Sequence, residues 1–135
     1  MNDCIFCGII SGEIPSHKIY EDSNVVAFLD INPVKDGHTL IVPKVHAENL
    51  LESGPEVSQM LMETVQKISP AIKKIVAAEG FNVVTNIGAA AGQTVHHTHV
   101  HIIPRHEGDG LALWPQMKTD HEALGETAKK VSDLL

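Results

Sequence analysis

The chain has 135 residues, of which 43% are hydrophobic and 20% are charged, a balance typical of one globular domain and not of a disordered chain. Its 17 acidic and 10 basic residues give a formal net charge of −7, which argues against a nucleic acid polymer as the main partner. No segment resembles a signal peptide and no apolar run is long enough to span a bilayer, so we expect a cytoplasmic protein without a membrane partner.

The first third of the chain predicts a short helical turn followed by three strands. Residues 4–12 indicate a turn or a single-turn helix. β-Branched and aromatic residues predict strands at 18–21 and 24–30. A connection containing an Asp-Gly pair leads into a third strand at 38–42, which Pro43 is expected to end.

The rest of the chain changes period to that of a helix and then returns to strands. A helical stripe begins after the Ser-Gly-Pro sequence at 53–55 and ends near Gly80. Its apolar members are Val57, Met60, Leu61, Val65, Ile68, Ile72, Ile75 and Val76. Further strands are predicted at 81–85 and 95–103, separated by a glycine-bounded loop, and a C-terminal helix is predicted at 120–135.

This order of elements predicts an α+β fold: a mainly antiparallel five-stranded sheet with one long helix and a C-terminal helix. The chain is expected to form a single domain over 1–135, with a core at about 4–106 and a tail at 107–135. Because the long helix covers only one face of the sheet, the other face or an edge is available to a second subunit, and a homodimer is expected.

Histidines are concentrated in one predicted strand. Five of the nine histidines lie between His96 and His106. Alternate side chains of a strand share a face, so His97, His99 and His101 should project together, about 6.6 Å apart.

Aligned imidazoles suit chemistry at phosphorus. A neutral imidazole is a nucleophile, and a neighbouring ring can donate to phosphate oxygens at cellular pH. The glycines of the preceding loop, with Gln93 and Thr94, offer donors to an anion. A metal-dependent hydrolase built on a His-x-His pair is the alternative, although no cluster of carboxylates lies near this strand in sequence.

The stretch from Gly92 to Pro104 resembles the His-x-His-x-His signature of the histidine triad superfamily. Residues 28–33, 37–44 and 86–88 are similar to nucleotide-binding segments of the same family. The resemblance implies a hydrolase that cleaves purine nucleoside phosphoramidates or dinucleoside polyphosphates at the α-phosphate. The reaction would pass through a nucleotidyl-histidine and release a nucleoside monophosphate.

The resemblance also implies roles for individual residues. His99 would attack the α-phosphorus, His101 would contact the phosphate and assist the leaving group, and His38 would orient the triad. The implied nucleotide-binding residues are Phe28, Asp30, Ile31, Asn86, Gln93 and Thr94, with His99 and His101. Asp30 could instead cap a turn, and Phe28 could be an ordinary core residue.

A Cys-x-x-Cys pair lies near the start of the chain. Cys4 and Cys7 alone are a weak signal, but His46 and His97 complete a Cys2His2 set of the kind that binds structural zinc. Some members of the superfamily carry zinc at these positions, and two thiols without metal are the alternative. Such a zinc has no open position, so the chemistry requires no cofactor.

The tail leaves two branches of the superfamily open. Pro104-Arg105 and Gly108-Asp109 are similar to the dinucleoside polyphosphate hydrolases, whereas His38 and Trp114-Pro115 are similar to the phosphoramidate branch. Trp114 is either a packing aromatic or a specificity residue. A regulatory module that binds purine nucleotides with little turnover is the alternative function.

Overall fold

The computed structural model describes residues 3–135. Within that range, the three α-helices are α1 (Ile5–Ser11), α2 (Pro55–Val76) and α3 (His121–Ser132). The five strands are β1 (Lys18–Glu21), β2 (Val25–Leu29), β3 (Thr39–Pro43), β4 (Gly80–Val84) and β5 (Val100–Arg105). Two 3-10 turns lie at Leu50–Glu52 and Ala89–Ala91.

The strands form one sheet in the order β1-β2-β3-β5-β4, and every neighbouring pair is antiparallel. The predicted α+β class with a five-stranded antiparallel sheet is therefore confirmed. The central strand β3 places Leu40 opposite Phe28 on one side and opposite His101 on the other. Residues directly opposite each other share a face, so these three side chains lie on one side of the sheet.

The sheet separates two apolar cores, as alternation along its strands requires. On one face Val25, Ala27 and Ile41 pack with α2 through residues such as Leu61 and Ile72. On the other face the partners are α1 residues. This second core contains Phe6, Ile9, Val26, Phe28, Leu40 and Val42. The functional residues described below lie on the α1 face.

Helix α2 carries the predicted stripe but ends before Gly80. It begins with Pro55 in its first turn, where a missing N–H costs nothing. It ends at Val76 because Ala77 adopts a left-handed conformation with φ 53°, and its N–H caps the carbonyl of Lys73.

The strand that carries the histidines starts and ends later than predicted. It was expected over 95–103 with Pro104 as a stop, but β5 runs from Val100 to Arg105. The N–H of Thr98 donates to the carbonyl of Ala47 at 2.9 Å, away from the sheet. Pro104 has no N–H to donate to a neighbouring strand. It is tolerated because β5 pairs with β3 only as far as Ile102, so β3 offers no partner on that side of Pro104.

Smaller boundary differences follow from the same kinds of contact. Residues 4–12 form a seven-residue helix, longer than a single turn. Pro43 is the last residue of β3, opposite Val25, and does not lie outside the strand. The predicted C-terminal helix is present as α3 with Asp120 as its cap, and none of its residues is buried. Among the described residues, no helix has both the length and the apolarity to cross a membrane.

Candidate active site

A cavity of about 450 Å³ opens on the α1 face of the sheet. Its volume suits a ligand of nucleotide size. Its lining includes the apolar side chains of Phe6, Ile9 and Phe28 and the polar side chains of Asp30, His38, Thr94 and His101.

His99 lies beside this cavity in a fixed tautomer. Its side chain is only 5% exposed, and its ring centroid is 5.0 Å from those of His101 and Phe6, both of which line the cavity. The Nδ1 atom lies 2.6 Å from the main-chain oxygen of His97. Because a carbonyl oxygen can only accept, Nδ1 carries the proton and Nε2 holds the free lone pair.

Burial lowers the pKa of His99 below its ordinary value, because the charged form loses its water. The hydrogen bond to the carbonyl of His97 and the negative charge of Asp30 act in the opposite direction. The net effect keeps this imidazole neutral at neutral pH.

His38 and His101 form a pair whose proton positions are also determined. The main-chain N–H of Val34 donates to Nδ1 of His38 at 3.2 Å, so neutral His38 carries its proton on Nε2. That Nε2 lies 2.9 Å from Nδ1 of His101, which therefore accepts. The remaining proton of His101 is on Nε2, as a donor.

Burial and neighbouring imidazoles oppose protonation of this pair. Burial lowers the pKa of His101 to about 4, with the neighbouring His99 and His38 acting in the same direction. Burial also lowers the pKa of His38, although the Asp30 carboxylate opposes this.

Gly37 precedes His38 with φ 86°, and a Cβ there would lie 3.0 Å from Val76. Only glycine fits this approach without strain.

Asp30 caps a turn and also lines the cavity. Its Oδ1 accepts from the N–H of Asn32 at 2.8 Å, which caps the turn after β2. Its Oδ2 lies 3.6 Å from Nε2 of His38, and the residue lines the cavity.

The other predicted nucleotide-binding residues divide into two groups. Phe28, Ile31 and Thr94 line the cavity. Asn86 and Gln93 are not lining residues. The Gln93 amide donates to the carbonyls of Glu48 and Val95 at 2.7 and 3.1 Å, and its oxygen accepts from the N–H of Gly88 at 2.9 Å. Its side chain therefore holds the glycine-bounded loop in place.

Sequence reasoning missed the contribution of α1 to the cavity. Ile5, Phe6 and Ile9 form part of the apolar lining. The available signal was the spacing of Phe6 and Ile9, which places both on one side of a helix.

Cys4, Cys7, His46 and His97 come together in a second cluster, with their four ligand atoms within 4.8 Å of one another. Nδ1 of His97 lies 3.4 Å from Sγ of Cys4 and 3.6 Å from Sγ of Cys7. Nδ1 of His46 lies 3.4 Å from Sγ of Cys7 and 3.1 Å from Nδ1 of His97. In tetrahedral zinc, a sulfur and a nitrogen ligand stand about 3.6 Å apart and two nitrogens about 3.3 Å. The four residues therefore fit zinc.

The hydrogen bonds of the two histidine clusters show which cluster can bind a metal. Nε2 of His97 lies 2.8 Å from the carbonyl of Pro43 and must donate to it, which leaves the Nδ1 lone pair for a metal. The group of Asp30, His38 and His101 also brings ligand atoms within 4.8 Å. There, however, Nδ1 of His38 already accepts from a main-chain N–H, so its Nε2 carries a proton and cannot bind a metal.

Comparison with known proteins agrees with this geometry. The sequence model of the HIT domain family matches residues 11–108. Adenylylsulfatase HINT3 of Arabidopsis thaliana is 46% identical over 129 residues, covering 90% of this chain and 64% of that protein. The crystal structure of a HIT family member from Bacillus subtilis is 42% identical with a TM-score of 0.90, covering 99% of this chain and 98% of the other. A zinc-bound histidine triad protein from Mycobacterium smegmatis is 38% identical with a TM-score of 0.78 and 97% of both chains covered. The chain therefore belongs to the HIT, or histidine triad, family.

Proposed function

We propose that the protein hydrolyses purine nucleotides at the α-phosphate, acting on nucleoside phosphoramidates or dinucleoside polyphosphates through a nucleotidyl group on His99. The observation that carries the proposal is the 2.6 Å contact between Nδ1 of His99 and the main-chain oxygen of His97. This contact leaves Nε2 of a buried, neutral imidazole as the nucleophile, next to residues that line a nucleotide-sized cavity.

In the first step, the Nε2 lone pair of His99 forms a bond to the α-phosphorus, and the leaving group departs with the electrons of its own bond to phosphorus. His101 Nε2–H donates to the phosphate or the bridging atom, where negative charge develops. In the second step, a water oxygen bonds to phosphorus, the P–N bond breaks and its electrons return to His99. The products are the nucleoside monophosphate and the leaving group. Of the two water protons, one stays on the monophosphate and the other goes to solvent, where it balances the proton that a departing amine takes up.

The cavity offers each part of a nucleotide a suitable environment. The base would lie against Phe28 and Ile31, and the Asp30 carboxylate would accept from the ribose hydroxyls. The phosphate would meet Thr94 and His101, which also line the cavity. The Arabidopsis relative is named an adenylylsulfatase, a name that also describes cleavage at an adenylyl phosphate and supports this assignment.

The proposal includes one structural zinc held by Cys4, Cys7, His46 and His97. The donor set and its distances match tetrahedral zinc, and the relative from Mycobacterium smegmatis is described as zinc-bound. Four protein ligands leave no position for a reacting water, so the zinc would stabilise the fold and take no part in the chemistry.

We also propose a cytoplasmic homodimer. A reducing compartment keeps both cysteine sulfurs available as ligands. Trp114, Met117 and Leu134 of the tail are 74 to 89% exposed, an amount of apolar surface that a second subunit would cover. Light scattering of the purified chain measures its molar mass and therefore tests the dimer directly.

The test of the proposal is capture of the intermediate. Mixing the protein with a slowly hydrolysed adenosine phosphoramidate, followed by rapid quenching and peptide mass spectrometry, should show an adenylyl group on the peptide containing His99. His99→Ala should form no adduct while binding adenosine monophosphate within about tenfold, or roughly 1.4 kcal/mol, of the wild type. Binding without adduct or turnover in the wild type would favour the regulatory module instead.

A competition experiment then separates the two branches of substrate. The protein is offered an adenosine phosphoramidate and diadenosine tetraphosphate together, and the ratio of kcat/KM values gives the preference. Chelation of metal before the assay tests the metal-dependent alternative, which requires that activity vanish and return with added metal while the fold is unchanged.

A further inference from the structure

The aromatic ring of Phe6 joins the two histidine clusters. Phe6 lies between Cys4 and Cys7 on α1 and is 5% exposed. Its ring centroid is 5.0 Å from that of His99 with an interplanar angle of 84°, and 5.9 Å from that of His97 with an angle of 69°. One side chain therefore contacts both the nucleophile and a residue of the metal cluster.

The hydrogen bond of His99 does not by itself fix its ring. A single contact from Nδ1 to the carbonyl of His97 sets the tautomer and one direction, but it leaves the ring free to tilt about that direction. The near-perpendicular contact with Phe6 opposes such a tilt, because a ring edge meeting a ring face is a favoured geometry that rotation would lose.

The position of Phe6 depends in turn on the residues that flank it. The Cys4 side chain caps α1 by accepting from the N–H of Cys7 at 3.4 Å. Both sulfurs also lie within 3.6 Å of Nδ1 of His97. The same cluster therefore holds α1 on each side of Phe6 and holds the residue whose carbonyl fixes His99.

We propose that Phe6 is a positioning residue, through which the cysteine-bearing end of α1 sets the plane of the His99 imidazole. This inference rests on the proposed role of His99 as nucleophile. It assigns to α1 a part in the reaction besides lining the cavity, and it makes the metal cluster a support for the nucleophile as well as for the fold.

The first test compares Phe6→Leu with the matched variant Phe81→Leu, since Phe81 is partly buried on β4 against the α2-side core. At saturating substrate, Phe6→Leu should lower the rate constant for adduct formation on His99 by about tenfold or more, with the affinity for adenosine monophosphate changed less than about threefold. Phe81→Leu should leave both quantities within about twofold. Weaker nucleotide binding with an unchanged rate constant would make Phe6 only a wall of the cavity and would overturn the inference.

The second test measures His99 without any reaction. In nitrogen-15 NMR spectra of the zinc-loaded protein, the wild type should show the Nδ1-protonated tautomer of His99, and Phe6→Leu should show averaged or broadened ring signals. The double variant Cys4→Ser, Cys7→Ser, measured without metal, should show the same averaging or broadening of the His99 ring signals. Unchanged His99 signals in Phe6→Leu would overturn the inference. If the wild type forms no adduct, the proposed function fails, and these spectra still decide whether Phe6 orients the ring.

Discussion

The Nε2–H of His38 donates to Nδ1 of His101 across 2.9 Å, between two residues 63 positions apart in the chain. Antiparallel pairing of β3 with β5 brings them together, since Thr39 lies opposite Ile102. The main-chain N–H of Val34 determines the tautomer of His38, and His38 determines that of His101. The position of the proton on neutral His101 is thus set by the backbone of the turn after β2.

Replacing His38 removes the donor that fixes His101. His38→Phe keeps most of the buried volume, and we expect the rate constant for adduct formation to fall by about 10- to 100-fold, as for other supporting hydrogen bonds that fix a histidine tautomer, because His101 loses the donor to its Nδ1. Quench-flow with peptide mass spectrometry measures this rate. His96→Ala, at an exposed histidine of the same motif, should stay within about twofold; an equal loss in both variants would contradict the assignment.

The rate should be insensitive to mild acid. Because burial lowers the pKa of the proposed nucleophile His99 below its ordinary value and that of His101 to about 4, acid should reduce the rate constant only at a lower pH than the one at which an ordinary histidine titrates. A histidine with an ordinary pKa near 6.5 would reduce the rate about tenfold by pH 5.5. An adenylyl ester of p-nitrophenol is a suitable substrate, because its phosphodiester stays singly charged throughout.

Stability has to be followed in the same experiment. The pKa of His101 is lower in the folded than in the unfolded chain, so the unfolded state binds more protons between about pH 6.5 and pH 4. The free energy of unfolding therefore decreases as the pH falls through that window. Circular dichroism at each pH distinguishes a loss of rate from a loss of fold.

Zinc removal should affect the fold more than the chemistry. We expect elemental analysis to give about one zinc per chain and Cys4→Ser to reduce it, with a fall in Tm of several degrees because metal binding energy contributes to folding. As the comparison, the Tm of Cys4→Ser should respond less to added zinc than the Tm of the metal-free wild type. Metal-free wild-type protein whose Tm does not respond to added zinc would contradict the assignment.

Local patterns in the sequence were sufficient to predict the sheet and the long helix. Alternation and the helical period report which face of an element is buried, and both are properties of neighbouring residues. The same rule predicted that His97, His99 and His101 project together from one strand. The rings of His99 and His101 are neighbours, with centroids 5.0 Å apart, but His97 and His99 precede β5, and the ring of His97 lies with the cysteine cluster.

Features that depend on distant contacts were beyond local pattern. The later start of β5 is set by the hydrogen bond between Thr98 and Ala47, 51 residues away. The wall that α1 contributes to the cavity depends on how a short helix packs on the sheet. The acceptor for His99 is a main-chain carbonyl and has no residue signature.

Measurements on a Gln93 variant can decide whether this residue has a structural or a ligand-binding role. Its buried amide makes three hydrogen bonds to main-chain groups, so Gln93→Ala leaves two carbonyls and one N–H without this partner. Buried groups of this kind cost about 1–3 kcal/mol each when unpaired, and relaxation of the loop recovers part of that. We expect the free energy of unfolding to fall by about 2–3 kcal/mol in urea titrations.

The matched control for Gln93→Ala is Gln59→Ala, whose side chain is on the exposed surface of α2 and donates to Glu63. This change should stay within about 0.5 kcal/mol of the wild type. The KM of Gln93→Ala, measured at a temperature where the variant is fully folded, should change little, because its amide is committed to the loop. A variant with wild-type stability and a raised KM would instead make Gln93 a phosphate ligand, as the resemblance implied, and would require its amide to leave the carbonyl of Glu48 when substrate binds.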